Sequence, residues 1–248
     1  MSQQISSPLP HAGESDRAPA VQGMFDLISP RYDRANRILS LGMDQGWRRQ
    51  VIEALGDPGE GEVLDLCAGT LDLTVALLER GWTRVHAVDF SQGMLDAGAD
   101  KLPADSPVSL HCADARELPL GDDSVDAIVC AFGLRNVPEV ERALAECVRV
   151  LRPGGQLVVL DFFYPEGWCA RVLQGTWNRA ILPLVGGAIT GSPGSYRYLA
   201  DSIVAHGSRK DFERTLADLG FEVEGRDMWA SIASLVSGRL LPSDEGAR

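Results

Sequence analysis

The chain has 248 residues, 45% of them hydrophobic, which is enough to bury one α/β core with appended helices. Its formal net charge of -12 argues against nucleic-acid binding, because phosphate contacts need clustered Lys and Arg. No apolar run approaches the roughly 20 residues that cross a bilayer, and the N-terminus lacks the apolar core of a signal peptide. We therefore expect a cytoplasmic protein. Because three of the five cysteines lie in apolar, strand-like runs and none forms a Cys-x-x-Cys pair, we expect buried, reduced thiols and no metal site.

Secondary structure is predicted along the chain from turn residues and hydrophobic periodicity. Residues 1–20 are rich in Ser, Pro and Ala without periodicity, and we expect a disordered tail. Helical patterns come next, and beyond residue 61 strands and helices alternate, which is typical of a parallel sheet with helices on both faces. The predicted helices are 21–28, 32–41, 44–55, 72–80, 92–101, 139–151 and 209–219, and the predicted strands are 62–67, 84–89, 108–113, 125–132, 156–162, 222–229 and 230–237.

The last third of the chain completes the predicted fold. Arg-Pro-Gly-Gly at 152–155 predicts a helix stop and a turn into the fifth strand. Residues 164–206 are predicted to form a helical lid or substrate-binding insertion. The last two strands, joined tightly, predict an antiparallel edge strand on an otherwise parallel sheet. The sequence therefore predicts a Rossmann-like α/β fold in one domain, 21–238, followed by a C-terminal tail, 239–248.

The most informative segment is Gly-Glu-Val-Leu-Asp-Leu-Cys-Ala-Gly-Thr-Leu-Asp-Leu-Thr at 61–74, together with Arg-Val-His-Ala-Val-Asp at 84–89. An apolar strand runs into a turn with one glycine, a helix follows, and a second strand ends on a carboxylate. Asp89 lies about 20 residues beyond the turn, the spacing of a nucleotide-binding βαβ unit whose acidic residue binds ribose hydroxyls. The segment therefore predicts a cofactor that contains an adenosine.

The charge of the turn indicates which adenosine cofactor it binds. A pyrophosphate needs glycines that let backbone amides approach it, whereas this turn has Gly69 alone and carries Asp72 at the helix start. Asp65 adds a second carboxylate at the end of the first strand. Two carboxylates suit a cationic ligand such as S-adenosyl-L-methionine. The alternative is that Asp72 only favours the helix dipole and that Asp65 caps a loop.

Asp114 follows the third predicted strand. Because ligands collect at the carboxyl ends of strands in a doubly wound sheet, Asp114 is placed to accept a hydrogen bond from the adenine amine. The alternative is that Asp114 forms a turn by bonding its own backbone.

Further motifs resemble the ubiquinone/menaquinone biosynthesis C-methyltransferase family. They are Phe-Gly-Leu-Arg-Asn-Val at 132–137, Arg-Val-Leu-Arg-Pro-Gly-Gly at 149–155 and Tyr-Arg-Tyr-Leu-Ala-Asp-Ser-Ile at 196–203, with Met-Phe-Asp at 24–26, Arg-Tyr-Asp at 31–33, Asn36 and Trp-Arg at 47–48. The resemblance covers about residues 22–238. It implies a class I methyltransferase that moves a methyl group from S-adenosyl-L-methionine to a ring carbon of a prenylated quinol. Demethylmenaquinol is favoured, and a polyprenyl methoxy-benzoquinol is the alternative.

The resemblance also implies cofactor contacts. By position these fall on Thr70, Asp89, Asp114 and Ala115, and Tyr32 would close over the methionine tail. The predicted cofactor-binding residues are Tyr32, Asp65, Gly69, Thr70, Asp89, Phe90, Asp114, Ala115 and Ala131.

Two residues depart from the family pattern, which usually has Gly at 71 and Ser at 131. Leu71 is expected to remove the freedom of the turn to adopt positive φ, and Ala131 deletes a hydroxyl. Either change would weaken cofactor affinity. Two other functions therefore stay open, a paralogue that methylates another aromatic metabolite and a non-catalytic scaffold subunit of a quinone-synthesis complex.

Five residues are predicted to act on the substrate. A quinol ring carbon attacks more readily once the neighbouring phenol loses its proton, so Arg135, which stays protonated, is expected to stabilise the phenolate unless it forms a structural ion pair. Asn136 would orient the quinol oxygen, and Tyr196 and Tyr198 would line the quinone pocket. His206 is the histidine with a route to the substrate, and a structural role fits it equally well.

An apolar run at 180–189, with Trp168 and Trp177 upstream, has two interpretations. It is either a buried helix or a mobile lid that admits an isoprenoid tail and touches the membrane surface. A transient contact with the inner face of the membrane and a homo-oligomeric state both stay open.

Overall fold

The computed structural model describes residues 17–29, 32–40, 42–168, 171, 175, 193–228 and 233–242. Trp177 and the apolar run 180–189 lie outside the described residues, as do residues 1–16 of the predicted tail. The described helices are α1 (Arg17–Ile28), α2 (Tyr32–Leu39), α3 (Met43–Leu55), α4 (Asp72–Arg80), α5 (Gln92–Ala99), α6 (Val140–Val150), α7 (Pro193–His206) and α8 (Arg209–Asp218), with a 3₁₀-helix at Leu134–Asn136. The strands are β1 (Val63–Leu66), β2 (Val85–Asp89), β3 (Val108–Cys112), β4 (Val125–Ala131), β5 (Leu151–Asp161), β6 (Phe221–Met228) and β7 (Ala233–Leu240).

The strands form one sheet in the order β3-β2-β1-β4-β5-β7-β6. Strands β1 to β5 are parallel, whereas β7 pairs antiparallel with both β5 and β6. The predicted Rossmann-like sheet with antiparallel pairing at its C-terminal edge is therefore confirmed. The structure adds that β7 is inserted between β5 and β6, so that β6 forms the outer edge.

The strand order reverses next to β1 and creates the crevice of the fold. The chain runs from β1 outward through β2 to β3, then returns to place β4 on the other side of β1. In open α/β sheets the carboxyl ends of the strands on either side of such a reversal leave a crevice in which ligands bind. The fold therefore places a candidate site beyond the ends of β1, β2 and β4.

The central strands are buried on both faces. All four residues of β1 are buried, and so are Ile128 and Val129 in β4, with no exposed area. One face packs against α6 and α8, and the other packs against α3 and α4 around Trp47 and Leu77. This accounts for the continuous apolar runs in the sequence, because parallel strands covered by helices on both faces need no polar side.

Several element boundaries differ from the sequence prediction, most of all those of β5, β7 and α1. Strand β5 begins at Leu151, because residues 152–155 bulge within the strand and do not form a separate turn. Pairing with β4 jumps from Val125↔Leu151 to Ala127↔Gln156, and Gly154 takes φ 81° within the bulge. Strand β7 is shifted by three residues at both ends, from the predicted 230–237 to Ala233–Leu240, and α1 begins at Arg17, so residues 17–20 of the predicted tail are helical.

The cysteines are less uniform than predicted. Cys130 and Cys147 are buried, and Cys67 is half-buried, but Cys112 is exposed. The prediction was wrong for Cys112 because β3 is an edge strand, which leaves alternate side chains open to solvent. Cys169 lies outside the described residues. Within the described ranges, no helix combines the length and the apolar composition that a bilayer crossing requires.

Candidate active site

A cleft opens at the carboxyl ends of β1 to β4, where the strand order predicts a crevice. Its walls come from these strand ends and from helices α1 and α2. Seven of the nine predicted cofactor-binding residues line it, and so does Asn136, whereas Asp65 and Thr70 do not. The lining residues are Phe25, Tyr32, Cys67, Gly69, Val88, Asp89, Phe90, Met94, Ala113, Asp114, Ala115, Ala131, Phe132, Gly133, Asn136, Val137 and Pro138.

Asp89 is the buried acceptor of the cleft. It ends β2 and is 6% exposed. Its carboxylate accepts hydrogen bonds from the backbone N–H of Gly69 at 2.8 Å and of Ser91 at 2.9 Å. Burial raises its pKa to about 6, even though both hydrogen bonds favour the charged form. Because each carboxylate oxygen keeps a further lone pair, Asp89 can accept hydrogen bonds from a diol in the cleft.

Local sequence fixes the position of Asp89. The Ser91 hydroxyl accepts a hydrogen bond from the Met94 N–H and so caps the N-terminus of α5. On the other side, Gly69 adopts φ 55°, which aims its N–H at Asp89. The carboxylate is therefore held between a helix cap and the turn that follows β1.

Leu71 corrects an expectation about this turn. It adopts φ 65°, although it has a side chain that disfavours this conformation by roughly 1–2 kcal/mol. Its side chain is fully buried in a cluster with Ala68, Ala87 and Leu95. The prediction that Leu71 removes positive φ was wrong, because burial of the side chain offsets the backbone strain.

Asp65 and Asp72 do not face the cleft as free charges. Asp72 accepts a hydrogen bond from Lys101 Nζ at 2.6 Å and lies 3.7 Å from Arg48 Nη2. Asp65 is 1% exposed, accepts a hydrogen bond from the Thr74 hydroxyl at 2.6 Å, and has a pKa that burial raises to about 7. The argument that these two carboxylates attract a cationic ligand is therefore not supported by the structure.

Thr70 and Tyr32 differ in their position relative to the cleft. The Thr70 hydroxyl donates a hydrogen bond to Asp33 of α2, and its side chain is buried outside the cleft. Tyr32 does line the cleft, and its ring contacts that of Phe25 edge-on at 6.1 Å between centroids. Phe25 was not predicted as a site residue, although it belongs to the Met-Phe-Asp segment that carries the family resemblance.

Asp114 forms the turn that one interpretation of its sequence position predicts, and it also lines the cleft. Its Oδ1 accepts the Arg116 N–H at 2.9 Å, which is the predicted turn. The Arg116 guanidinium also binds the carboxylate through Nε at 3.0 Å and Nη2 at 2.7 Å, and these bonds lower the pKa of Asp114. Asp114 therefore stays ionised while it lines the cleft, where a remaining lone pair can accept an amine hydrogen.

Arg135 forms a buried ion pair that sequence reasoning left as the alternative. Arg135 Nη1 donates to Asp161 Oδ1 at 2.6 Å and to the Phe132 carbonyl at 2.5 Å. The guanidinium also lies 5.3 Å from the centroid of the Phe162 ring. Arg135 is 8% exposed and Asp161 has no exposed area, and neither lines the cleft. Asp161 was missed, although its place at the carboxyl end of β5 was a usable signal.

Gly133 explains why this segment turns so tightly. A Cβ atom at Gly133 would lie 2.2 Å from the Cβ of Cys67, so only glycine lets the end of β4 approach the end of β1. The preceding residue, Phe132, takes φ 61° and lines the cleft. Asn136 follows one turn later and lines the same cleft, and its side-chain amide donates a hydrogen bond to the Phe132 carbonyl at 3.4 Å.

Two further residues that the sequence predicts at the site, His206 and Tyr198, do not line the cleft. His206 stacks on Phe163 at 4.7 Å between ring centroids, and burial lowers its pKa, so it is neutral near pH 7. The charges of Asp161 and Arg135 act on it, which places these three side chains in one region. Tyr198 is buried in a cluster with Val21 and Met24 of α1, and the cleft-lining residues Phe25 and Phe90 pack against this cluster. The helical backbone of Tyr196 belongs to α7, but its side chain lies outside the described residues.

The residues that line the cleft fit an adenosyl cofactor without a phosphate. Asp89 has lone pairs that can accept hydrogen bonds from a diol such as that of a ribose, and Asp114 has one that can accept from an amine such as that of adenine. Phe25, Phe90 and Val137 offer apolar contact area to the purine and the ribose. Among the residues that the structure describes, none that lines the cleft is basic, and a phosphate would need such a partner.

Comparisons with known proteins agree with this geometry. The model of the ubiE/COQ5 methyltransferase family matches residues 12–237. The chain is 40% identical to the ubiquinone/menaquinone biosynthesis C-methyltransferase UbiE of Syntrophotalea carbinolica, over 89% of this chain and 94% of the relative. It is 41% identical to the demethylmenaquinone methyltransferase of Mycobacterium sp. (strain JLS), over 87% of this chain and 91% of the relative. A solved SAM-dependent methyltransferase from Aquifex aeolicus shares the fold, with a TM-score of 0.58 at 19% identity over 90% of this chain and 98% of that one.

Proposed function

Because the chain belongs to the ubiE/COQ5 methyltransferase family, we propose that it methylates a ring carbon of a prenylated quinol, demethylmenaquinol first of all. Membership confirms the predicted methyltransferase activity and the methyl donor, S-adenosyl-L-methionine. The family match over nearly the whole chain carries the proposal, and the lining of the cleft is consistent with it.

The choice of demethylmenaquinol rests on the two relatives. One is named for both ubiquinone and menaquinone biosynthesis, and the other for demethylmenaquinone alone. Menaquinone chemistry is common to both, so we place the naphthoquinol before the methoxy-benzoquinol.

The cofactor half of the site consists of the ends of β2 and β3. Asp89 would bind the ribose hydroxyls and Asp114 the adenine amine, while Phe25 of α1 and Tyr32 of α2 line the cleft beside them. When bound, S-adenosyl-L-methionine supplies an electrophilic methyl group on a sulfonium. The enzyme then has to exclude water and hold the acceptor carbon in line with that methyl group.

The acceptor half lies at the end of β4. Asn136 lines the cleft and would orient a quinol oxygen through its amide, beside the apolar side chains of Phe132 and Val137. Arg135 lies behind this segment, where it donates to the Phe132 carbonyl and to Asp161. We therefore assign Arg135 to positioning the segment that contacts the substrate and not to direct contact with the phenolate. His206 is neutral but lies outside the lining of the cleft, so we do not assign it the role of base.

Exposed aromatic side chains support a peripheral contact with the membrane in which such quinols reside. Trp168 is 77% exposed and Tyr164 is 36% exposed, both after β5. Aromatic side chains favour the membrane interface. Flotation with neutral lipid vesicles should carry the wild-type protein, and Trp168→Ala should reduce that fraction. Equal flotation of the two proteins would remove the support that Trp168 gives to this contact.

Turnover with a purified quinol tests the proposed function. The protein is incubated in detergent with S-adenosyl-L-methionine labelled on its methyl group and with either reduced demethylmenaquinone or the demethylated methoxy-benzoquinol. We expect label on the ring carbon of the naphthoquinol. Label on the benzoquinol alone would reassign the substrate. No label on either quinol, in a protein that binds the cofactor, would overturn the proposal in favour of a paralogue or a scaffold.

A further inference from the structure

We infer that Lys101 is a positioning residue. Its ammonium group holds helix α2, which forms one wall of the cofactor cleft, against the turn at Gly69 and Thr70. Its ammonium group and the three residues that it joins, Asp33, Thr70 and Asp72, are called here the Lys101 clamp. The inference rests on the part of the proposed function that places the cofactor in the cleft, which Tyr32 and Gly69 both line.

The contacts of the Lys101 clamp come from three segments of the chain. Lys101 Nζ donates to Asp33 Oδ2 of α2 at 2.5 Å, to the Thr70 carbonyl of the turn at 2.8 Å and to Asp72 Oδ1 of α4 at 2.6 Å. The Thr70 hydroxyl completes the clamp by donating to the other oxygen of Asp33. Three acceptors around one nitrogen match the three hydrogens of an ammonium group.

Lysine is rare in this chain, so its use at position 101 is informative. The chain has 23 basic residues, of which only Lys101 and Lys210 are lysines. Lys210 pairs with Glu166 on the surface at 2.7 Å, and both of these side chains are about half exposed. Lys101 is 29% exposed and meets two carboxylates and a carbonyl. A guanidinium is planar and larger, so it fits a three-sided cage of this kind poorly.

The Lys101 clamp acts on the cleft through neighbours in sequence. Asp33 directly follows Tyr32, and Thr70 directly follows Gly69, and both of these preceding residues line the cleft. One ammonium group therefore binds both Asp33, which is next to the cleft-lining Tyr32, and Thr70, which is next to the cleft-lining Gly69. Lys101 itself does not line the cleft, so its effect on the cofactor passes through the position of α2.

Removal of the ammonium group would leave Asp33 and Asp72 to repel each other where both are now attracted to Lys101. Asp33 and Asp72 both lie within hydrogen-bonding distance of the same nitrogen, so without it they face each other as like charges. Arg48 lies 3.7 Å from Asp72 and compensates part of that charge, which leaves Asp33 as the less compensated carboxylate. Repulsion would shift α2 away from the turn. The apparent affinity for the cofactor falls in proportion to the closed fraction of the protein.

Cofactor binding to four proteins tests the inference: wild type, Lys101→Met, Asp33→Asn and the double variant. Calorimetry with S-adenosyl-L-methionine and no quinol gives Kd for each. We expect Lys101→Met to raise Kd about tenfold, for a closed fraction reduced to about a tenth. Asp33→Asn should raise Kd in the wild-type background but lower it in the Lys101→Met background, because there it removes the repulsion. Lys210→Met is the matched control and should leave Kd unchanged.

Two further readouts separate positioning from general stability. At saturating cofactor, Lys101→Met should keep kcat within about twofold while KM for the cofactor rises with Kd. A lower Tm with an unchanged Kd would show an ordinary structural ion pair and overturn the inference. So would an Asp33→Asn change that weakens binding in both backgrounds. If Lys101→Met does not fold, Asp33→Asn is compared with the exposed Asp57→Asn, and equal Kd values for these two would overturn it.

These outcomes are distinct from failure of the proposed function. A wild-type protein that binds the cofactor but methylates no quinol would contradict the proposed function and leave the Lys101 clamp intact. A wild-type protein that binds the cofactor with the same affinity as Lys101→Met would contradict only the clamp.

Discussion

Two buried carboxylates stand at the carboxyl ends of strands in the same sheet, Asp89 at the end of β2 and Asp161 at the end of β5, but their partners differ. In the described chain, the hydrogen bonds to Asp89 come from backbone N–H groups, and its side chain faces the cleft. Asp161 accepts the Arg135 guanidinium and has no exposed area. Asp89 therefore keeps an uncompensated charge for a ligand, whereas the charge of Asp161 is used to hold the end of β4. Position at a strand end does not distinguish these roles, but the partner of the carboxylate does.

The largest expected effect is the loss of stability when Asp161 is replaced. Asp161→Leu leaves the Arg135 charge buried without its carboxylate, so we expect the free energy of unfolding to fall by about 3–5 kcal/mol. Urea denaturation measures it. The double variant Asp161→Leu with Arg135→Met removes both charges and should recover most of that loss. A single variant within 1 kcal/mol of wild type, on the scale of an exposed pair, would show that Asp161 does not hold this segment.

The next largest effect is the loss of cofactor affinity when Asp89 is replaced. Asp89→Ala removes a charge-assisted acceptor for the ribose hydroxyls, which is worth roughly 1.5–3 kcal/mol, or about a 10- to 150-fold increase in the cofactor Kd. Calorimetry measures it, with the exposed Asp57→Ala as the matched control. An unchanged Kd in Asp89→Ala would contradict the assignment of Asp89 to the cofactor.

The pH dependence of cofactor binding tests whether the charge of Asp89 contributes to the affinity. Burial raises the pKa of Asp89 to about 6, and the ionised form is the better acceptor, so affinity should fall as the pH drops through about 6. The fall should not exceed about tenfold per pH unit, since one proton is taken up. Asp89→Asn should remove the dependence. Asp65, with a pKa of about 7, also titrates, and Asp65→Asn separates its contribution. A Kd that stays constant from pH 5 to 8 in the wild type would contradict this account.

The raised pKa also sets the sign of the stability change. Between its ordinary value and about 6, Asp89 binds more protons in the folded than in the unfolded protein. Its ionisation therefore lowers the free energy of unfolding as the pH rises through that window. This loss of stability on ionisation is consistent with a residue that serves ligand binding and not stability.

The smallest effect concerns the turn on the cofactor side. Leu71 has positive φ, where glycine is unstrained and alanine is not. Leu71→Ala and Leu71→Gly both lose the buried side chain, but the glycine variant also loses the strain. We expect Leu71→Gly to be more stable than Leu71→Ala by about 1 kcal/mol in urea denaturation. The opposite order, which is usual in a helix, would contradict the role given to this turn.

The parts of the site that sequence predicted are those fixed by local spacing. The βαβ unit sets the distance between Gly69 and Asp89, and the ends of β3 and β4 place Asp114 and Asn136 in the same crevice. Because the carboxyl ends of parallel strands meet at one edge of the sheet, these residues converge whatever the details of packing. The fold was predictable for the same reason, from the alternation of strands and helices.

The parts that sequence missed depend on contacts between distant segments. Lys101 meets Asp33 across 68 residues of chain, and Asp161 meets Arg135 across 26. No periodicity in the sequence links such partners. Asp65 and Asp72 were misjudged for this reason, because the groups that bind them, Thr74, Lys101 and Arg48, were not visible as neighbours.

A crystal structure with S-adenosyl-L-homocysteine, the demethylated cofactor, tests the central claim most directly. The account predicts the ribose hydroxyls within hydrogen-bonding distance of the Asp89 carboxylate and the adenine amine beside Asp114. A nucleoside bound elsewhere, or one that leaves Asp89 with Gly69 and Ser91 as its partners, would contradict it.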